Sequence, residues 1–594
     1  MTVVQRQRSL PFEGNAPNTL TVDQATQFAR SLAEASPTKL REAVAQTFCH
    51  AVVDAYWTRT HRRRGRELRP APTELRALRP DAIDAANALG VEAARLSIEE
   101  GSYVIGATYA AMLPPETRAK GGVFYTPAPI VRRLLNTVES EIDWSCARVL
   151  DPACGGGAFV APVAARMIHA LKGVNRRVAV RNIAARLHGQ EIDPFAAWMS
   201  QVFWEATAHE LLNGAGSDVP EIVDVCDSLA LPRPDEFDLV IGNPPYGRIS
   251  LSPEARETYR RSLFGHANMY ALFLDLALRK ARPGGLVAYV TPTSFLSGEY
   301  YKRLRGLLTR EAPPSSFDFI SERSGVFDDV LQETMLTVFR RGAALRPATV
   351  SFLEVGADSL RDQPAGEATL PGDPETPWVL PRSPAFVKTA KRLRALPDRL
   401  ASWGYGVSTG PLVWNRHKPQ LREAPTKKTI PLVWAECVTP DGTFSFRAER
   451  RNHAPYFEPG ADDEWLVVRR GCVLLQRTTS KEQPRRLIAA ELPAEFLAKH
   501  GAITVENHLN MVVPIVPEPM VSTRALAAFL NSRAADRAFR CISGSVAVSA
   551  YELEAMPLPA PGAMAALSDL LARPHSRADV ERLCTTMFGC EDET

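Results

Sequence analysis

Four consecutive residues, Asn243-Pro244-Pro245-Tyr246, close the apolar run Phe237–Ile241. Two prolines remove backbone donors and fix φ, so the carbonyl oxygens of such a turn point in set directions. The Asn243 side-chain oxygen and the Pro244 carbonyl can then accept both hydrogens of a planar exocyclic amino group. Accepting both draws the nitrogen lone pair out of conjugation and towards an electrophile, while Tyr246 would stack on the ring that bears the amine. A purely structural turn could use the same four residues. The segment therefore has to be read with what precedes it.

Three acids precede it, each at the end of a short apolar run. Val149-Leu150-Asp151 leads into Pro152-Ala153-Cys154-Gly155-Gly156-Gly157-Ala158, a glycine-rich turn that lets backbone approach a ligand closely. An acid ahead of GxG, rather than GxGxxG, suits a ligand with a cationic amine better than a pyrophosphate. Glu191, in Gly189-Gln190-Glu191-Ile192-Asp193-Pro194, can accept from both hydroxyls of a ribose. It stands 40 residues after Asp151, beyond the ~20 of the dinucleotide fingerprint, which leaves room for a longer helix and loop through Gly173–Arg186. Asp227 follows Glu221-Ile222-Val223-Asp224-Val225-Cys226 and could accept from an adenine amino group. Any one acid could be a simple helix cap. Three at successive strand ends outline a nucleoside pocket.

The elements that must hold these residues are readable from periodicity. Val22–Ala35, Leu40–Arg59 and Pro80–Met112 carry helical apolar spacing. From 148 to 345, runs predicted as strands (Arg148–Leu150, Leu187–Ile192, Glu221–Val225, Phe237–Ile241, Gly285–Thr291, Phe317–Ile320, Met335–Phe339) alternate with helical stretches (Ala158–Leu171, Pro194–Asn213, Met269–Ala281, Tyr300–Thr309). That alternation implies a mainly parallel sheet with helices on both faces. Gly356–Pro384, rich in Pro, Gly and acids, reads as a linker. Strands around Trp465–Arg477 and Asn510–Val516 follow, with helices at Ser522–Phe539 and Ala563–Arg573.

Taken together, the segments resemble the amino-methyltransferases of DNA restriction–modification systems, in the γ arrangement of N6-adenine enzymes. Gly122-Val123-Phe124-Tyr125-Thr126-Pro127 matches the first motif of that arrangement, and Ile105–Tyr109 and Leu113–Arg118 look like its lead-in. The resemblance covers roughly residues 100–345. It implies an α/β fold: a Rossmann-like methyltransferase domain (111–345) with a mostly parallel sheet, after a helical N-terminal region (1–110). A linker (346–384) and an α+β DNA target-recognition domain (385–594) would follow. It also implies S-adenosylmethionine as methyl donor. Thr126 would contact its methionine end, and Asp151, Pro152, Ala153, Cys154 and Gly155 would line its amino acid and backbone. Glu191 would hold the ribose, Asp227 the adenine, and Pro245 would border the donor. Asn243, Pro244 and Tyr246 would serve a flipped adenine, with Phe327 of Val326-Phe327 stacking on it; Gly284–Pro292 is a further match.

The C-terminal part resembles target-recognition domains more loosely, through Gln476-Arg477-Thr478-Thr479, Glu506-Asn507-His508-Leu509-Asn510, and Gly544-Ser545-Val546 leading to Met556-Pro557-Leu558-Pro559. Charge supports a polyanionic partner there. Residues 381–510 hold 21 basic and 13 acidic side chains, a local +8 in a chain of net +3. Of 70 Lys and Arg only 12 are Lys, leaving 58 Arg; arginine suits bidentate contact with phosphate and guanine, although a GC-rich genome produces the same bias. Arg416, Lys418, Arg469, Arg470, Arg477, Arg485 and Arg486 are the residues expected to reach double-stranded DNA.

Other chemistries fit less well. C5 methylation of cytosine needs a nucleophilic thiol, usually after proline, and no Pro-Cys dipeptide occurs. N4 methylation of cytosine uses the same amine chemistry and stays open, as does methylation of a protein glutamine by an Asn-Pro-Pro-Tyr turn. A nuclease built into the same chain would present an acid two residues before a lysine, and none of the twelve lysines has one, so a restriction endonuclease encoded separately is expected. Nine cysteines without C-x-x-C argue against a zinc site or disulfide framework, and no metal is expected. Met1–Gly14 lacks the apolar core of a signal peptide, and no run reaches membrane-helix length. The expectation is a cytoplasmic, nucleoid-associated prokaryotic protein acting as a monomer.

Overall fold

The structure, a computed structural model, describes residues 21–61, 67–121, 126–212, 218–230, 236–321, 333–356, 359–373, 376–478, 485–545 and 547–589. It divides into two compact units, one ending at Gly247 and the other beginning at Arg248.

The first unit opens with helices α1 (Val22–Ala35), α2 (Arg41–Thr60), α3 (Pro80–Ala93) and α4 (Ile98–Met112). The single helical stretch expected over Pro80–Met112 is two helices. Ser97 ends the continuity by accepting from the Glu100 N–H while the Glu100 carboxylate accepts from the Ser97 N–H, a reciprocal cap that satisfies two otherwise orphan donors. Short α5 (Pro115–Gly121) and α6 (Ala128–Val138) lead to β1 (Val149–Asp151), α7 (Val160–Ala170), α8 (Arg176–Ala184), β2 (Leu187–Glu191), α9 (Pro194–Leu212), β3 (Val223–Val225) and β4 (Phe237–Gly242). Helix α8, capped by Asn175, fills the long interval after the glycine-rich turn.

Strands β4, β1, β2 and β3 lie side by side in that order and all run parallel, the α/β arrangement that the alternating pattern implied. The N-terminal helices were expected as a separate region. Instead they share one core with the helices that flank the sheet: Phe48, Trp57, Leu89 and Tyr109 pack in the same cluster as Ala161 of α7 and Phe195, Trp198 and Phe203 of α9. Burying a Leu or Phe side chain such as Leu89 or Phe203 contributes about 1.5–3 kcal/mol, so these helices and those flanking the sheet stabilise each other.

The second unit begins with a ribbon of β5 (Arg248–Ile249) and β6 (Ala267–Asn268), with α10 (Pro253–Thr258) between them. Next come α11 (Met269–Lys280), β7 (Ala281–Pro292), α12 (Lys302–Glu311), β8 (Pro314–Ser321), β9 (Thr334–Arg340), β10 (Ala348–Val355) and β11 (Leu360–Ala368). The last five strands are ordered β7-β9-β8-β10-β11, antiparallel except for β8 with β10. Part of the expected linker is therefore strand. Pro364 and Gly366 sit on β11, the outermost strand of this row, and most of its residues are exposed. An edge strand needs neither an apolar face nor every N–H, so its composition looks like linker.

Beyond residue 376 the unit contains α13 (Val387–Leu393), β12 (Tyr405–Thr409), β13 (Leu421–Arg422), β14 (Ile430–Val433), β15 (Tyr456–Phe457), β16 (Val473–Gln476), β17 (Ala489–Glu491), α14 (Ala494–His500), β18 (Thr504–Val505) and β19 (Leu509–Pro514). Two four-stranded sheets result, β12-β19-β16-β17 and β13-β15-β14-β18. Helices α15 (Thr523–Leu530), α16 (Arg533–Arg540), α17 (Ala550–Glu554), α18 (Met564–Leu571) and α19 (Arg577–Met587) complete it. The expected helix Ser522–Phe539 is broken where Ser532 caps α16.

Helices α2 and α3 touch backbone to backbone at Gly90. A β-carbon there would sit 2.3 Å from the Val52 carbonyl oxygen and 2.9 Å from the Tyr56 nitrogen. Alanine is favoured over glycine in a helix by about 1 kcal/mol, yet Gly90→Ala is expected to destabilise the protein by about 1–3 kcal/mol through overpacking. Urea unfolding checks the sign; a stabilised variant would mean that the helix pair separates at little cost.

Candidate active site

Parallel pairing aligns the strand ends that carry the sequence-predicted residues. Val149 pairs with Leu187 and Leu239, Asp151 with Gly189, and Glu191 with Val225. The chain leaves the carboxyl ends of β1, β2, β3 and β4 into four adjacent loops, where ligands of open α/β sheets bind.

The loop after β1 is built on glycines. Gly155 and Gly157 have φ of 51° and 89°, values costly for other residues, and a β-carbon at Gly157 would stand 3.0 Å from Ser200 Cα. The Asp151 carboxylate accepts from the Ala153 N–H at 3.1 Å, and the Cys154 N–H donates to the Gln190 carbonyl at 3.0 Å. Pro152 is fixed through its carbonyl, which accepts from the Ser228 hydroxyl at 2.7 Å. Cys154 is buried, and burial raises its thiol well above the usual range, so it is no nucleophile.

Glu191 ties the first two loops together. One carboxylate oxygen accepts from the Gly155 N–H at 2.8 Å, and the other from the N–H groups of Ile192 and Asp193 at 2.9 and 3.0 Å. A carboxylate offers about four acceptor sites; donors among the described residues use three, which leaves one on the oxygen facing Gly155. A ribose held here would find one ready acceptor from these residues rather than the two expected. Asp227 is exposed and accepts from the Leu229 N–H at 3.0 Å, the capping arrangement, with its second oxygen outside that bond.

Strand β4 brings in the diproline turn. A β-carbon at Gly242 would lie 2.7 Å from Asp151 Oδ1, so the residue before Asn243 touches the acid of the β1 loop. The Tyr246 hydroxyl donates to Asn243 Oδ1 at 2.7 Å. Pro244 and Tyr246 are buried, while Asn243 and Pro245 are half-buried. Tyr246 was expected to offer its ring for stacking; at 7% exposure the ring is covered and the hydroxyl orients Asn243 instead. Thr126 is buried just ahead of α6. Phe124, Tyr125 and Phe327 lie outside the described residues.

Two side chains were missed by sequence reasoning. Ile192, directly after Glu191, is 67% exposed, and Val225, at the end of β3, is 56% exposed. Large apolar groups turned to solvent beside polar acceptors suit the faces of a flat ring. The sequence signal was their closeness to the acids, Ile192 one residue after Glu191 and Val225 two before Asp227.

The three C-terminal segments singled out from the sequence converge within the second unit. Thr478 bridges to Ala547, the Arg477 carbonyl accepts from the Val548 N–H, the Arg477 N–H donates to the His508 carbonyl, and the Asn510 amide donates to the Val548 carbonyl. Arg416, Lys418, Arg469 and Arg470 are exposed, Lys418 lying over the Trp414 ring and Arg469 pairing with Glu464. Arg477 is half-buried, its guanidinium donating to the Asn507 carbonyl. Arg485 and Arg486 do not fit the expected surface role. Arg485 donates to the carbonyls of Asn531 and Pro440, and Arg486 is buried, its backbone N–H bound to Asp536.

A parallel sheet with a glycine-rich first turn, acids at the next two strand ends and an Asn-Pro-Pro-Tyr corner on the fourth defines an α/β methyltransferase. More particularly, residues 199–327 match the Eco57I restriction-modification methylase family, and the chain carries that domain. It is similar to the type II methyltransferase M.BsuBI of Bacillus subtilis, 25% identical over 472 residues that cover 75% of this chain and 88% of that one. It is also similar to the type II methyltransferase M.PstI of Providencia stuartii, 24% identical over 54% of this chain and 65% of that one. The fold resembles that of the type IIL restriction-modification enzyme MmeI, solved in complex with DNA, with a TM-score of 0.53, 12% identity and 97% coverage of both chains.

S-adenosylmethionine is the methyl donor of this domain. The loops fit it: glycines that admit close backbone approach, an acceptor site on Glu191, apolar Ile192 and Val225 beside it, and a buried acid suited to a cationic amine. Among the described residues no cluster of His, Cys, Asp and Glu could hold a metal, and no helix is long and apolar enough to cross a membrane.

Burial pushes Asp151 up to about 8, against the Ala153 N–H, with the Glu191 charge adding to the rise. The free protein therefore holds a proton on Asp151 below that pH. A cationic amine binds the carboxylate form, so the proton must leave. Affinity for S-adenosylhomocysteine is expected to fall by up to about tenfold per unit as pH drops below 8, and Asp151→Asn should flatten that limb. Calorimetric titration from pH 6 to 8 reads it; an unaltered slope in the variant would show that another group binds the proton.

Proposed function

We propose that the chain is a site-specific DNA methyltransferase that methylates the N6 amino group of adenine after rotating the base out of the duplex. The observation carrying this reading is the Asn243 side chain, held by the Tyr246 hydroxyl at 2.7 Å on the strand whose end touches Asp151.

The basic stretch 381–510 supports docking on a duplex through phosphate contacts with Arg416, Lys418, Arg469 and Arg470, Arg477 contributing from its half-buried position. An adenine inside the helix cannot reach a pocket, and unstacking it costs of order a few kcal/mol. Hydrogen bonds to Asn243 and Pro244 offset part of that. One amino hydrogen would go to Asn243 Oδ1 and the other to the Pro244 carbonyl. Stacking, worth roughly 1–3 kcal/mol per base, requires Tyr246 to uncover a face, with Phe327 as the second ring. S-adenosylmethionine supplies a methyl group made electrophilic by its sulfonium sulfur. Asn243 and Pro244 turn the amine's lone pair towards that carbon; the N–C bond forms as the C–S bond breaks, and the nitrogen sheds a proton to solvent. Rate comes from positioning and polarisation, with no covalent intermediate on the protein.

In a restriction–modification setting such a methylase protects host DNA against an endonuclease encoded separately, and it acts as a monomer, one base at a time. Methylation of cytosine N4 would use the same corner, so identification of the modified base in DNA from cells expressing the gene separates the two. Asn243→Ala is expected to lower methyl transfer to DNA by at least about 10²-fold while duplex affinity stays within about twofold. Full activity in that variant would falsify the assignment.

A further inference from the structure

We propose that Tyr109, on α4 of the N-terminal helices, is a positioning residue for Glu191, acting through Asp193. The helices ahead of the sheet thereby form part of the methyl-donor site. The inference rests on the reading of Glu191 as the acceptor for the donor's ribose.

The connection is a chain of hydrogen bonds within the first unit. The buried Tyr109 hydroxyl donates to Asp193 Oδ2 at 2.8 Å. Asp193 Oδ1 accepts from the Phe195 N–H at 2.9 Å, capping α9, and the Asp193 N–H donates to Glu191 Oε1 at 3.0 Å. The Tyr109 ring is seated against Phe195, with ring centroids 5.1 Å apart. One side chain from α4 thus fixes both the carboxylate and the ring of the segment 193–195, whose first N–H helps to orient Glu191.

The placement matters because burial pushes Glu191 up, the Asp193 N–H offsets part of that rise, and the Asp193 carboxylate two residues away adds to it. Left to rotate, the Asp193 carboxylate would move relative to Glu191 and release the α9 cap. The Tyr109 hydroxyl, donated to Oδ2, keeps Oδ1 on the Phe195 N–H. A buried tyrosine needs some hydrogen-bond partner, but a backbone carbonyl would have served the core equally well; here the partner is the residue that braces Glu191. Asp193 is itself half-buried, so water can replace a lost hydroxyl. Removing that hydroxyl should therefore disturb orientation more than stability.

Tyr109→Phe keeps the ring against Phe195 and removes the hydroxyl. The full chain, Tyr109→Phe and Glu191→Gln are compared for binding of S-adenosylhomocysteine and of its 2′-deoxyribose analogue by calorimetry, with thermal unfolding alongside. Tyr109→Phe is expected to lose about 3–10-fold in affinity for the ribose form and little for the deoxy form, with Tm shifted by only a few degrees. The preference for ribose should then shrink as it does in Glu191→Gln. If Glu191→Gln loses the preference and Tyr109→Phe keeps it, or loses affinity for both ligands in parallel, Tyr109 is only a core residue and the inference is overturned. If Glu191→Gln keeps the full preference, the ribose reading of Glu191 fails and takes the inference with it.

Discussion

Parallel register across β4, β1, β2 and β3 is the constraint on which the candidate site depends. It places the ends of four strands on one edge, so residues tens of positions apart in the chain become neighbours. The Gly155 N–H reaches Glu191, the Cys154 N–H reaches Gln190, and Gly242 abuts Asp151. A slip of one residue in any pair would turn an acid from the loop into the sheet face and exchange it for an apolar neighbour. The burial of Val149, Leu150, Leu239, Val240 and Ile241 holds that register.

The site is expensive to keep without its donor. Asp151 is nearly excluded from water, with the Ala153 N–H to offset part of its desolvation, and Glu191 is pushed up for the same reason. Native structures tolerate such groups where a ligand repays the cost. Backbone donors from Gly155, Ile192 and Asp193 already converge on Glu191, so its orientation is set before anything binds. The N-terminal helices extend this preorganisation, since they share their core with α7 and α9 rather than standing apart.

Much of this was legible in the sequence, because the loops announce themselves by residue type. Asp151, Glu191, Asp227 and Asn243 each follow an apolar run, and the alternation of runs and helices gave the α/β class. Local chemistry that depends on partners was not legible. Whether Tyr246 offers its ring or its hydroxyl is decided by burial, and Glu191's remaining acceptor capacity by the backbone around it. The N-terminal region read as separate because its apolar stripes do not reveal which helices they meet. Ser97 and Ser532 look alike in sequence whether they cap a helix or decorate one, so the breaks before α4 and α16 are not visible in the apolar spacing. Composition also does not show that Arg485 is half-buried with its guanidinium on the Asn531 and Pro440 carbonyls, or that Arg486 is buried.

Strand β11 has an effect on how copies of this protein behave in a crowded solution. It is nine residues long, largely exposed and last in its row, a geometry that invites an unrelated chain to add itself by backbone pairing. Pro364 has no N–H, Gly366 has φ of 87°, and the register shifts at Val350/Ser351. An irregular border of this kind is a poorer template for growth by added strands.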